Sequence, residues 1–175
     1  MAKVALAVTL YTQTQAWTGC IYRRYAERLL DLLNGVSNQP QSRGRFLALS
    51  DVTIQYADSK KERLPTVYIN KATIELATTS GGELARGIGA KAGYKTYPFV
   101  HKVPVPVELR TPAYAVIGNM HCNGRHGVWN VLEEGPTFLP LTDVRIRSLV
   151  NDIWWDAPFT AVNREKILSL QETVP

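Results

Sequence analysis

At 175 residues and 45% hydrophobic content, the chain is long enough for one ordinary domain or two small ones, and too apolar to be disordered throughout. Lys and Arg number 20 against 15 Asp and Glu, a formal charge of +5 that favours acidic partners without selecting one. The apolar run at residues 4–10 is too short to span a membrane and has no small-residue cleavage site, and the 2 cysteines make no secreted disulfide framework, so a reduced, cytoplasmic protein is expected.

The chain opens with an alternating strand at 4–10 and a second at 17–22 that carries Gly19. Leu29, Leu30, Leu32 and Leu33 have helical spacing, and Asn34-Gly35 is a stop signal for a short helix. The polar stretch 36–44 reads as a mobile surface loop. Then comes Phe46-Leu47-Ala48-Leu49-Ser50-Asp51-Val52-Thr53-Ile54, whose apolar residues alternate but change parity between the leucines and the Val52/Ile54 pair. A straight strand cannot keep all four on one face, so a bulge or sharp bend is expected at Ser50-Asp51. A polar tip at 58–63 leads to two more short strands around Asn70-Lys71, where Asn tolerates a tight turn. Residues 79–99, glycine-rich and basic, read as a linker and domain boundary.

What precedes the linker returns after it. A constant shift sets Val8 on Val107, Leu10 on Leu109 and Gly19 on Gly118, and Phe138-Leu139-Pro140-Leu141-Thr142-Asp143-Val144-Arg145-Ile146 repeats the bent strand. Asn163-Arg164 answers Asn70-Lys71. The second copy is the poorer helix former at 126–133, and only a single turn is expected there. The reading is all-β: two tandem small β-barrels of Sm-like or SH3-like type, 1–78 and 100–175, related by internal duplication, with a short helix in the first. Barrels this small are expected to pack together and share apolar surface.

Each copy thus runs strand, strand with Gly, short helix or loop, bent strand, hairpin, then Ile69-Asn70-Lys71-x-x-Ile74 or Val162-Asn163-Arg164-x-x-Ile167. That order resembles the Sm-like small β-barrel, which has strongly bent middle strands and a closing Ile-Arg-Gly-x-x-Ile hairpin. Arg28-Leu29-Leu30-Asp31-Leu32-Leu33-Asn34 with residues 46–52 is also similar to an uncharacterised bacterial domain family. The first resemblance implies base contacts at Asn70-Lys71 and Asn163-Arg164, although no Gly follows the basic residue here. It also implies that the two copies act as adjacent units of a pseudo-symmetric ring or dimer whose unpaired edges recruit neighbours.

Asp51 and Asp143 form a pseudo-symmetric pair of carboxylates, but residues at a strand bend serve the backbone more often than chemistry. His121, Cys122 and His126 fall short of the four ligands of a structural zinc site, and residues 87–93 lack the phosphate-loop pattern. With no nucleophile series present, nothing asks for an enzyme, a metal or another cofactor. Trp154-Trp155 at a hairpin tip is expected to put one indole outside its own core, either as an anchor for a protein partner or a nucleic-acid base or packed onto the other barrel. The leading expectation is a non-enzymatic binding or assembly module with a protein partner or a homo-oligomer. The alternative is binding of RNA or single-stranded DNA through Arg23, Arg24, Asn70, Lys71, Lys91, Lys95, Asn163 and Arg164.

Overall fold

Alternating apolar residues do build strands, and a computed structural model describes them over residues 3–24, 27–37, 40–79 and 101–174. The first half contains β1 (Lys3–Tyr11), β2 (Gln15–Arg24), the helical turns α1 (Leu29–Leu33) and α2 (Pro40–Arg43), β3 (Phe46–Tyr56), β4 (Lys61–Asn70), a 3₁₀ turn (Lys71–Thr73) and β5 (Leu76–Thr79). The second half repeats that order with β6 (Lys102–Arg110), β7 (Tyr114–Asn123), α3 (Val128–Glu134), β8 (Phe138–Ser148), β9 (Trp154–Asn163), a 3₁₀ turn (Arg164–Lys166) and β10 (Ser169–Glu172). The class is all-β, and among the described residues no helix is long and apolar enough to cross a membrane.

All ten strands belong to one antiparallel sheet in the order β10-β6-β7-β8-β9-β5-β1-β2-β3-β4. The halves are therefore two five-stranded segments of one open sheet, where two tandem small barrels packed together were expected. Their joint is a backbone ladder, β5 against β9, with Leu76 opposite Val162, Ala77 opposite Ala161 and Thr78 opposite Thr160. Of the expected linker, Thr79 ends β5, and the remainder lies outside the described residues.

The parity change has a visible cause. Asp51 and Asp143 adopt left-handed backbone, φ 53° and 52°, and the register between β2 and β3 slips between Thr18 and Cys20 just as that between β7 and β8 slips between Ile117 and Asn119. One extra residue on the bent strand turns Val52 and Ile54, like Val144 and Ile146, back into the core beside the leucines. Gly19 faces this bend closely: a Cβ there would lie 2.7 Å from the Ser50 carbonyl oxygen and 2.9 Å from Leu49 Cγ. At Gly118 the nearest atoms stand at 3.1 and 3.2 Å. Gly19→Ala is expected to lose about 1–3 kcal/mol of stability, and Gly118→Ala less, as read from urea unfolding midpoints.

Two expectations change. The longer helix is α3, seven residues against five, because Val128 is buried and Val131 and Leu132 pack on the core, whereas Gly35 at φ 71° ends α1 early. The insertion at 36–44 is not simply a surface loop. Ser37 and Ser42 are buried, Ser42 Oγ donates to the Ser37 carbonyl, and Lys71 Nζ donates to the carbonyls of Leu32 and Ser42.

Candidate functional site at the joint between the halves

The joint is where polar and aromatic groups of the two halves converge. Asn163, which caps the 3₁₀ turn by accepting the Glu165 N–H on its Oδ1, donates its backbone N–H to the Glu75 carbonyl and its Nδ2 to the Ile74 carbonyl, both at 2.9 Å. Glu75 is buried, and its carboxylate accepts from Thr111 Oγ1 at 2.6 Å and from the Ala113 N–H at 3.1 Å. On the helical side, Asn34 at the end of α1 clamps the backbone of Phe138: its Nδ2 donates to the Phe138 carbonyl at 3.0 Å and its Oδ1 accepts the Phe138 N–H at 2.8 Å. The Phe138 ring, together with Phe159 and Ala161, sits in the core of the first half, while Leu76 of the first half sits in that of the second.

Next to Glu75, whose N–H bonds the Tyr11 carbonyl, Tyr11 stacks on Trp155 with centroids 5.3 Å apart and meets Tyr114 edge-on at 5.6 Å, and the Tyr114 hydroxyl donates to the Thr12 carbonyl at 3.0 Å. These rings border a cleft of about 330 Å³ whose lining residues carry no formal charge. Burial pushes the Tyr11 and Tyr114 hydroxyls above their ordinary range; Thr78 and Trp155 oppose this at Tyr11, and Glu75 and Tyr11 reinforce it at Tyr114. The folded protein therefore keeps protons that the unfolded chain gives up near pH 10, so these groups lower stability as pH rises through and beyond about 10. Lys71, lowered by burial, acts with the opposite sign below that range. Tyr114→Phe is expected to flatten the alkaline decline and to cost about 1 kcal/mol at neutral pH through the donor lost to Thr12, measured by chemical denaturation across the alkaline range.

The residues singled out from sequence are dispersed. Trp154 is exposed, with the guanidinium carbons of Arg145 and Arg147 each 5.5 Å from its ring centroid, whereas Trp155 faces the joint. Arg23 is buried and donates to the Glu27 carbonyl, Arg24 is exposed, and Lys71 is spent on the Leu32 and Ser42 carbonyls. Arg164 donates to the carbonyls of Leu132 and Glu133. Asn70 and Asn163 cap the two 3₁₀ turns, and Lys91 and Lys95 lie outside the described residues. Asp51 and Asp143 stand on β3 and β8, which are not neighbours in the sheet. His121 Nε2 meets Thr142 Oγ1 at 2.8 Å, and burial, with Lys102, lowers its pKa against the pull of Asp143. Among the described residues no group of three His, Cys, Asp or Glu is placed to hold a metal.

Sequence reasoning missed Glu75, Asn34 and the two tyrosines of the cleft. A carboxylate between Ile74 and Leu76 was the one available signal, since a charge in an apolar run is buried only when partnered. Searches of protein-family models, curated proteins and solved structures return no match.

Proposed function

We propose that this protein is a non-enzymatic assembly module, a duplicated Sm-like unit that recruits a protein partner through the unpaired edges of its sheet. The observation that carries the reading is the strand order. The sheet ends at β10 and at β4, which are the counterparts of β5 and β9, the two strands that already join the halves. Duplication is supported by the repeated element order, the paired left-handed aspartates and the paired Asn caps, and the Sm-like reading by the bent third strand and the closing Asn-basic turn in each half. Unpaired edges are templates for strand addition, and these carry exposed apolar side chains: Phe46 and Tyr68 at the β4 edge, Leu168 and Val174 at the β10 edge. The nucleic-acid alternative draws less support, since Lys71 and Arg164 spend their donors on backbone carbonyls.

Tyr68 offers a clean test. The Lys71 N–H bonds the Arg45 carbonyl, so pairing alternates along β4 and the Tyr68 N–H points away from β3. Tyr68→Pro therefore blocks the edge without removing a rung of the existing ladder. Gentle purification is expected to retain a stoichiometric protein partner, this chain or another, with the natural sequence and to lose it with Tyr68→Pro. A monomer with nothing bound in either case overturns the reading.

A further inference from the structure

We propose that the cleft between the two halves binds a neutral saccharide, a ligand separate from whatever the sheet edges recruit. Its walls come from different halves: the β1–β2 turn and the end of β3 from the first, the β6–β7 turn and the β8–β9 hairpin from the second. At about 330 Å³ it lies at the small end of the ~300–1,000 Å³ spanned by small-molecule sites. That is room for a sugar and not for a folded partner.

The lining has a buried floor and an apolar rim. Ala113, Tyr114 and Ser148 are 2%, 7% and 9% exposed, whereas Val150 and Ile153 on the β8–β9 hairpin are 64% and 58% exposed. The Ser148 backbone N–H bonds the Ile153 carbonyl, yet its hydroxyl has no partner among the described residues. Buried polar side chains are as a rule bonded within the fold, so a hydroxyl left over on the floor of a cleft is placed for a group that enters it. The rim departs from its counterpart in the same direction. Lys60 holds with Tyr56 the backbone rung that Ile153 holds with Ser148, and the β3–β4 tip around it carries Asp58 and Lys61. Only the hairpin of the second half turns apolar side chains to solvent at its tip, and it does so beside the cleft.

Charge selects the ligand. No lining residue is charged, and the ionised groups nearby are engaged: Glu75 by Thr111 and Ala113, Glu62 by the Tyr56 hydroxyl, Asp152 by Arg147. An ion entering the cleft would lose water and meet no counter-charge, so the ligand is neutral. Gln13, Gln15, Gln55 and Asn151 line it with amides and Thr14 and Ser148 with hydroxyls, groups that both donate and accept. A sugar hydroxyl does both as well. Tyr11, Tyr114 and Trp155 pack on one another, whereas among the described residues no ring lies against Tyr56. Tyr56 is thus the ring offered to the CH-bearing face of a sugar, which the negative face of an aromatic ring attracts. Apolar faces with hydroxyl edges match a lining of rings and amides.

Saturation-transfer NMR followed by titration of the full chain with cellobiose, maltose, lactose and N,N′-diacetylchitobiose tests this, with indole as a neutral planar probe for comparison. At least one disaccharide is expected to bind saturably, Tyr56→Ala to weaken it by roughly tenfold, and Ser148→Ala and Gln55→Ala each by about threefold to tenfold. Tyr56 packs on the core of the first half, so Ser148→Ala and Gln55→Ala, whose side chains make no hydrogen bond among the described residues, carry the test if Tyr56→Ala fails to fold. Tyr68→Pro, which blocks the edge, is expected to bind the sugar as the natural sequence does, so the assembly reading and this one stand or fall separately. Silence from all four disaccharides overturns the inference, as does binding indifferent to the cleft variants or a cleft that takes indole and no sugar.

Discussion

Phe138→Ala is expected to cost about 3–5 kcal/mol of folding stability, whereas Phe46→Ala in the isolated chain costs less than about 1 kcal/mol. The two residues hold corresponding places in corresponding strands, so strand propensity and turn chemistry are alike, and the difference measures the joint alone. Phe138 is buried in the core of the other half, and its deletion leaves a cavity beneath the ladder between β5 and β9. Phe46 has no half beside it. Equilibrium urea unfolding at low protein concentration separates the two effects; equal losses would mean that Phe138 is not a joint residue in energetic terms.

The second large effect is at Glu75. Glu75→Ala is expected to cost about 2–4 kcal/mol, because the Thr111 hydroxyl and the Ala113 N–H both lose a charged acceptor at a buried site. Glu75→Gln can keep both bonds, because the Thr111 hydroxyl and the Ala113 N–H donate to the same oxygen, Oε2, so a smaller loss than that of Glu75→Ala is expected. Loss of cooperativity, with the halves melting in two steps, would accompany Glu75→Ala if this carboxylate is the main tie; calorimetry distinguishes one transition from two.

The strands were legible because their information is local. The parity change around Asp51 and Asp143 foretold the bend, since it follows from a strand's period of two. The joint was not legible, for a physical reason. Asn34 and Phe138 are 104 residues apart and Asn163 and Ile74 are 89 apart, and nothing within a local window marks a partner at that distance. The setting of Lys71 was not legible for a related reason: it looks like a solvated hairpin cation in sequence, yet Ser42, distant along the chain, supplies a carbonyl to it. Helix propensity likewise understated α3, where packing of Val128 outweighs weak local preference.

Because β9 is made some seventy-five residues after β5, the ribosome releases the first half several seconds before the strand that covers it exists, at about 5–20 residues per second. During that interval the nascent β5 edge is open to any β9 nearby, and on a crowded polysome the nearest finished one belongs to the chain ahead. A slow translation rate over 80–160 would thus promote exchanged dimers, in which two polypeptides lend each other their second halves. Such dimers would bury the same residues as the monomer while doubling its mass, and would come apart slowly on dilution.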